Sequence, residues 1–168
     1  ASVEYKILVR GFGTNTGTFR LEVASSSSPT PFPTPFPTPS PTPGSLTNDV
    51  CAGAQLISVG SYTGTNVGAT SDENEASSCV NPTSAGVWYT VIGTGGSMTI
   101  NTCDSITNFD TVVAVFVGNC GSLTCLGSND DSCSLSSSLT WTSQASVEYK
   151  ILVRGFGTST GTFRLSLS

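Results

Sequence analysis

The stretch ASVEYKILVRGFGTSTGTFRLSLS (145–168) is the most informative part of the sequence for the fold, because a nearly identical copy of it begins the chain. Residues 1–24 read ASVEYKILVRGFGTNTGTFRLEVA. Four positions differ between the two copies: Asn15/Ser159, Glu22/Ser166, Val23/Leu167 and Ala24/Ser168. The copies begin 144 residues apart, and self-similarity at a fixed, domain-sized period is typical of tandem arrays. The sequence therefore predicts 144-residue tandem repeats, with one period and part of the next in this chain.

Both copies carry the pattern of paired β-strands. In residues 3–10 and 19–23 apolar side chains alternate with polar ones, and glycines mark the turn between them. The pattern predicts a β-hairpin in residues 1–24. An isolated hairpin is marginal in water, and residues 145–168 can close the sandwich of their own domain. We therefore expect residues 1–24 to complete the preceding domain, either covalently upstream or in the next molecule of a fibre, as if the chain were cut within a domain.

The sequence of residues 25–46 predicts a stiff linker. Proline occupies every odd position of PTPFPTPFPTPSPTP (29–43), which excludes both helix and sheet because proline fixes φ and lacks the amide donor. Fifteen residues of polyproline II at ~3.1 Å each span roughly 45 Å. Phe32 and Phe36 are unusual in a solvated spacer, so we expect the linker to pack along sandwiches.

Alternating Thr-Pro and Ser-Pro is typical of O-glycosylated rods. The alternative is an unmodified spacer. The predicted acceptors of covalent O-linked glycans are Thr30, Thr34, Thr38, Ser40 and Thr42, or hydroxylated prolines among Pro29, Pro31, Pro33, Pro35, Pro37, Pro39, Pro41 and Pro43.

Residues 47–168 form the third predicted segment, an all-β domain. Short strands are separated by turns of Gly, Asn, Ser and Asp, a pattern that indicates an antiparallel β-sandwich. The predicted strands are 55–59, 86–92, 97–102, 109–117, 123–127, 138–142, 147–154 and 162–167. The run DTVVAVFV within 109–117 predicts a central strand that is buried on both faces.

Charge and hydropathy exclude several classes of partner. All six basic residues lie in the two copies of the repeated segment, and residues 25–144 hold eight acids and no base. Nucleic-acid binding needs clustered Lys and Arg, so we predict no nucleic-acid partner. The longest apolar run, 112–117, is far too short to span a bilayer, so we predict no membrane insertion.

Six cysteines lie within the domain: Cys51, Cys79, Cys103, Cys120, Cys125 and Cys133. An even number in a chain without histidine predicts three disulfides and an oxidising, extracellular compartment. Fifteen pairings are open, and we favour Cys120–Cys125, Cys51–Cys79 and Cys103–Cys133. A metal site is the alternative, but CxxC and histidine are both absent from the sequence.

Two acidic clusters are candidate sites. Asn129, Asp130 and Asp131, with Asp110 brought near by strand pairing, offer the oxygen ligands that calcium prefers; the alternative is a solvated turn. The cluster at 72–75 (Asp72, Glu73, Glu75) is interpreted as a solvated loop.

We predict no catalysis. Without histidine neither a Ser-His nor a Cys-His pair can exist. Asp104 and Asp110 could supply the two carboxylates of a glycosidase, although nothing in the sequence places them in a cleft. Trp88, Tyr89 and Trp141 could stack on sugars, and core packing is the alternative for them.

Five blocks of the domain resemble the bacterial pre-peptidase C-terminal domain and its eukaryotic cysteine-bearing relatives. The blocks are NDVC (48–51) followed by Ala54, GVWYTV (86–91), FDTVVAVFVG (109–118), CLGSNDDSC (125–133) and the closing VEYKILVRGFGTSTGTFRLSL (147–167). The resemblance implies a small, jelly-roll-like β-sandwich without catalysis of its own, usually appended to secreted enzymes and surface proteins. No protease or other catalytic domain accompanies it in this chain.

An array of such sandwiches joined by Thr-Pro rods also resembles the shaft proteins of glycosylated extracellular filaments and flagellar hairs (mastigonemes). The sequence thus predicts a structural subunit of an extracellular filament or cell-surface appendage, whose partners are copies of itself and glycans. The alternative is a carbohydrate- or surface-binding module of a secreted multi-domain hydrolase.

Overall fold

The computed structural model describes residues 46–71, 79–80 and 84–168. The chain divides into one unit of residues 1–40 and another of residues 41–168, and all described residues belong to the second. The hairpin predicted for 1–24, linker residues 25–45 with their predicted glycan acceptors, and the acidic cluster at 72–75 lie outside the described residues.

The described residues form two β-sheets, which confirms the all-β sandwich. The nine strands are β1 (Gln55–Leu56), β2 (Gly60–Thr65), β3 (Gly86–Ile92), β4 (Ser97–Asn101), β5 (Thr111–Asn119), β6 (Ser122–Asp130), β7 (Ser138–Thr142), β8 (Glu148–Gly155) and β9 (Thr162–Leu167). Sheet A has the order β1-β3-β8-β5-β6, and sheet B has the order β2-β9-β4-β7. Every pairing is antiparallel except that of β1 with β3. A short 3-10 helix, Cys51–Gly53, precedes β1.

The main core lies between the two sheets. Alternate residues of β9 and β4 point into it, and the outward residues between them are polar, the pattern of a half-exposed sheet. The largest buried side chains of this core include Tyr89, Met98, Ile100, Ile151, Phe163 and Leu165.

A second apolar cluster covers the outer face of sheet A. Trp88, Phe116 and Leu152 are at most 1% exposed, and the rings of Trp88 and Phe116 lie 5.6 Å apart. Segments 46–54 and 79–80 contribute to this cluster, so we call them the cover segments. The first six residues of both β3 and β5 are consequently buried, which confirms that DTVVAVFV forms a central strand buried on both faces.

The strand predictions fail mainly near residue 60. The strand predicted at 55–59 shortens to β1, and β2 was not predicted. The sequence of β2, GSYTGT, has two glycines and one large apolar residue, so its own strand propensity is low. It forms a strand because it pairs with β9 over six residues. The strand predicted at 123–127 lengthens to β6, which pairs with β5 through a register shift near Val115.

Residues 145–168 do not form a hairpin. β8 lies in sheet A and β9 lies in sheet B, so the connection between them crosses the sandwich. Gly155 allows this sharp crossing, because a Cβ atom there would collide with the carbonyl oxygen of Ser159. The repeated segment therefore contributes to both sheets rather than to one.

Candidate functional site

The repeated segment occupies the centre of the sandwich. β8 pairs with β3 along seven residues and with β5 along seven, and β9 lies between β2 and β4. Ile151, Val153, Phe163 and Leu165 are fully buried. Without residues 145–168, sheet A would lose the strand that joins β3 to β5, and sheet B the strand that joins β2 to β4.

The basic residues of this segment face acidic or polar groups of the protein. Arg164 Nε lies 3.7 Å from Asp104 Oδ2. Arg154 is 6% exposed and interacts electrostatically with Asp130. Lys150 Nζ lies 2.6 Å from Glu148 Oε1 and donates to Thr90 Oγ1 at 3.4 Å. Two of the three acidic partners thus lie outside the repeated segment, which fits the separation of bases and acids in the sequence.

Three carboxylates meet at one end of sheet A. Asp110, Asp130 and Asp131 each place one ligand atom within 4.8 Å of the others. Asp130 ends β6 and Asp131 follows it with a φ of 56°, a left-handed conformation that aspartate tolerates. Asp110 Oδ1 is buried without a hydrogen-bond partner among the described residues.

Electrostatics disfavours full ionisation of this cluster. Burial, followed by the charges of Asp130 and Asp131, raises the pKa of Asp110 above its ordinary value. Burial and Asp131 likewise raise the pKa of Asp130, which Arg154 partly offsets. Burial lowers the pKa of Arg154 itself. Crowded carboxylates with raised pKa values gain from a bound cation.

Asn129 does not join the three aspartates. Its side-chain oxygen accepts the backbone N–H of Ser138 at 2.8 Å. Asn129 is paired with Val113 and Asp130 with Val112, and successive side chains of a strand point to opposite faces. The cluster brought together therefore consists of Asp110, Asp130 and Asp131.

The structure confirms one predicted disulfide and corrects two. Cys103 bonds Cys133, whereas Cys51 bonds Cys120 and Cys79 bonds Cys125, with Cα atoms 5.9, 5.8 and 5.2 Å apart.

The predicted Cys120–Cys125 pair is wrong because Cys120 lies in the turn before β6. Cys125 lies three residues along β6 from Ser122, the first residue after this turn, which is about 10 Å of strand. The Cα atom of Cys125 is therefore too far from the turn for a disulfide to Cys120, because a disulfide needs Cα atoms within about 7 Å. The predicted Cys51–Cys79 pair is wrong because these cysteines belong to different cover segments, and each bonds to the β5–β6 hairpin or its turn. Three disulfides are consistent with a secreted protein.

The aromatic residues considered for sugar stacking are all buried. Trp88, Tyr89 and Trp141 are 0%, 2% and 8% exposed, so core packing is correct for each. Phe156, which is 55% exposed in the β8–β9 connection, was not predicted as a candidate site residue. A phenylalanine between two glycines in a turn was the available signal. The backbone N–H of Phe156 donates to the carbonyl oxygen of Asp110 at 2.9 Å, beside the acidic cluster.

The two carboxylates considered for glycoside hydrolysis have separate partners. Asp104 accepts the backbone N–H of Ile106 at 2.9 Å and lies near Arg164, while Asp110 belongs to the acidic cluster. Among the described residues, no helix is long and apolar enough to cross a membrane.

Comparison with known proteins finds similarity in structure only. No protein-family model matches the sequence, and neither does any curated protein. The structure is similar to the pre-peptidase C-terminal domain of a collagenase from Bacillus anthracis, with 10% identity and a TM-score of 0.47, covering 68% of this chain and 94% of that one. It is also similar to PliG of Aeromonas hydrophila, a periplasmic inhibitor of g-type lysozyme, with 13% identity and a TM-score of 0.41, covering 68% and 96%.

Proposed function

We propose that this chain is a non-catalytic structural subunit of an extracellular filament. In this filament, β-sandwiches built on a 144-residue repeat would be joined by O-glycosylated polyproline rods. One observation carries the proposal. Residues 145–168 supply β8 and β9, one interior strand to each sheet, and residues 1–24 repeat the sequence of residues 145–168. The sequence of β8, EYKILVRG, recurs unchanged at residues 4–11.

Because of the repeat, residues 1–24 could supply two strands equivalent to β8 and β9. Residues 18–23, TFRLEV, correspond to β9, TFRLSL. The changes at positions 22 and 23 suit the same place, because Ser166 is only partly buried and leucine and valine are both apolar. Arg10 and Arg20 correspond to Arg154 and Arg164, so they would face the acidic partners of another sandwich. The stiff linker predicted for residues 25–46, roughly 45 Å long, would disfavour folding back onto the same sandwich.

Truncation tests this donation directly. A chain of residues 1–144 keeps residues 1–24 and lacks residues 145–168. We expect such chains to complete one another's sandwiches and so to form head-to-tail polymers. Negative-stain images and size-exclusion chromatography would detect these polymers. A chain of residues 25–168 keeps only residues 145–168, which complete its own sandwich, and should remain monomeric. A chain of residues 25–144 lacks both copies of the repeated segment and should not fold. A folded, monomeric 1–144 chain would mean that residues 1–24 close their own sandwich, and the proposal would fail.

Mass spectrometry of protein from its native source tests the glycosylated rod. We expect sugar mass on the peptide that contains residues 29–43, on threonine, serine or hydroxyproline. A peptide of unmodified mass would favour the unmodified spacer.

A second candidate function is a non-catalytic surface-binding module of a secreted protein. The observation that favours it is the exposed side chain of Phe156, whose backbone N–H donates to the carbonyl oxygen of Asp110 in the acidic cluster. The two features together offer a stacking surface and a set of calcium ligands. We expect the chain to bind an insoluble polysaccharide in Ca²⁺ and to lose this binding in EDTA or on Phe156→Ala. Leu56→Ala, at an exposed apolar position in the opposite edge strand of sheet A, is the control. Equal retention of all these proteins on the polysaccharide would exclude this candidate.

A further inference from the structure

An apolar groove lies beside the short edge strand β1. Its volume is about 570 Å³. The lining residues come from β1, the β1–β2 connection, β2, the end of β3 and the start of β4, and they are Leu56, Ile57, Ser58, Val59, Tyr62, Val91, Ile92, Thr94 and Met98. The set contains no charged side chain. Met98 and Ile57 also belong to the main core, so the groove opens directly onto the packed interior of the sandwich.

The rim of the groove is unusually apolar for a solvent-exposed surface. Leu56 and Val59 are each 66% exposed and Ile92 is 47% exposed. Contiguous exposed apolar residues of this kind mark binding sites. The Tyr62 hydroxyl accepts the backbone N–H of Ser58 at 3.0 Å and donates to its carbonyl oxygen at 3.0 Å. These bonds restrain the Tyr62 ring in the wall of the groove.

We propose that this groove binds a phenylalanine side chain from the proline-rich segment, residues 29–43, of a second copy of the chain. The segment and the groove are both uncharged. Phe32 and Phe36 are the only large apolar residues between positions 25 and 45. The segment ends three residues before Leu46, which packs against the main core, so every copy carries one ligand and one groove. The stiff polyproline conformation expected of the segment would carry Phe32 and Phe36 away from its own sandwich and toward another copy. Proline-rich peptides commonly dock in apolar grooves because their extended conformation costs little entropy to fix.

Polyproline geometry allows one phenylalanine to enter at a time. Phe32 and Phe36 are four residues apart, which is one and a third turns of a helix with three residues per turn. Their side chains therefore point about 120° apart around the rod, at positions separated by about 12 Å. Each phenylalanine is then an independent anchor. This inference deepens the proposed function, because it names the contact by which the rods of a filament would hold neighbouring sandwiches.

Titration with a synthetic peptide tests the proposal. The receptor is the full chain carrying Phe32→Ala and Phe36→Ala, which removes its own competing anchors. The ligand is unglycosylated PTPFPTPFPTPSPTP, followed by chemical-shift changes or calorimetry. We expect saturable binding, about half the affinity when one phenylalanine of the peptide becomes alanine, and a loss of about tenfold or more when both do.

Two valines provide the matched receptor variants. Val59 lines the groove, whereas Val67 is 57% exposed and does not line it. Val59→Ser should weaken binding several-fold, and Val67→Ser should leave it unchanged. No saturable binding, or equal weakening by both variants, would overturn the proposal. Either result is separable from the strand-donation test, because polymerisation of residues 1–144 requires strand pairing and is measured without the peptide.

Discussion

Gly64 lies in β2 opposite Phe163, at a point where the main core has no room for a side chain. A Cβ atom there would lie 2.5 Å from Phe163 Cζ and would also collide with the Tyr89 hydroxyl. That hydroxyl is deeply buried, and burial raises the pKa of Tyr89 to about 12. Neither ring can move freely, because Tyr89 and Phe163 also pack edge-to-face at 6.2 Å.

We expect Gly64→Ala to lower the free energy of unfolding by about 1–3 kcal/mol, the usual cost of overpacking. Gly96→Ala is the matched control, because its Cβ would approach nothing closer than Thr94 Oγ1 at 3.8 Å. It should change stability by less than about 0.5 kcal/mol. Urea unfolding of both variants, with disulfides intact, measures the difference. Equal losses would show that the rings yield to the added methyl group.

Asp131 adds repulsion to the acidic cluster, and its removal should matter at neutral pH only. The folded state raises the pKa of Asp110 and of Asp130. The folded chain therefore binds more protons than the unfolded chain between the ordinary and the raised pKa values, and stability falls as pH increases through this range.

Asp131→Asn should raise the free energy of unfolding at pH 7 by up to about 1 kcal/mol, and asparagine keeps the left-handed backbone. At pH 3, below the ordinary aspartate pKa of 3.8, the protonated carboxyls no longer repel one another and the gain should vanish. Thermal unfolding at both pH values measures it without added calcium. The same gain at both pH values would assign the effect to the backbone instead.

The cover segment 79–80 is attached to the β5–β6 hairpin by one disulfide and one hydrogen bond beside it. Cys79 bonds Cys125, Ser128 Oγ donates to the Cys79 carbonyl oxygen at 3.2 Å, and Cys79 Sγ lies 3.2 Å from the Gly127 carbonyl oxygen. Beneath this cover Trp88 packs on Phe116 and belongs to the same cluster as Cys79. Trp88 fluorescence therefore reports whether the cover is in place.

Replacing Cys79 and Cys125 by alanine should cost about 4 kcal/mol by loop-closure entropy and expose Trp88. The background is Trp141→Phe, which leaves Trp88 as the only tryptophan of the chain. We expect a red-shifted emission and increased quenching by acrylamide. Replacing Cys103 and Cys133, which join the segments around β4 and β7 instead, is the control and should leave the emission unchanged. Unchanged emission in both variants would show that the rest of the protein covers Trp88 without the disulfide.

The strands whose burial follows from their own residues were predictable, and those defined by distant partners were not. The bounds of β3, β7 and β9 agree with the predicted 86–92, 138–142 and 162–167, because their apolar residues encode burial locally. β2 depends on β9, which lies about a hundred residues away in sequence. The pairs Cys51–Cys120 and Cys79–Cys125 depend on the cover segments, and an exposed Phe156 depends on the crossing of the repeated segment between sheets. Neither β2 nor the two disulfides have a signal within a short window of sequence, whereas Phe156 has one in its position between two glycines.

The crossing of residues 145–168 between the sheets also determines how the whole sandwich should unfold. β8 and β9 are joined by six residues, and each lies between two other strands of its sheet. Loss of either strand removes the partner of two others, and the short connection transmits the disruption to the other sheet. We therefore expect one cooperative transition for both sheets.

Two single-tryptophan variants test this cooperativity. Trp141→Phe leaves Trp88, which reports on sheet A and its cover, and Trp88→Phe leaves Trp141, which lies in β7 and packs on Tyr149 at 5.9 Å. Within each variant, the urea midpoint from tryptophan fluorescence should equal the midpoint from circular dichroism, because each tryptophan loses its surroundings when β8 and β9 leave together. A fluorescence transition that precedes the loss of strand signal in either variant would show that one sheet outlasts the other. The repeated segment would then be two separable strands, and its donation to a neighbouring sandwich would proceed one sheet at a time.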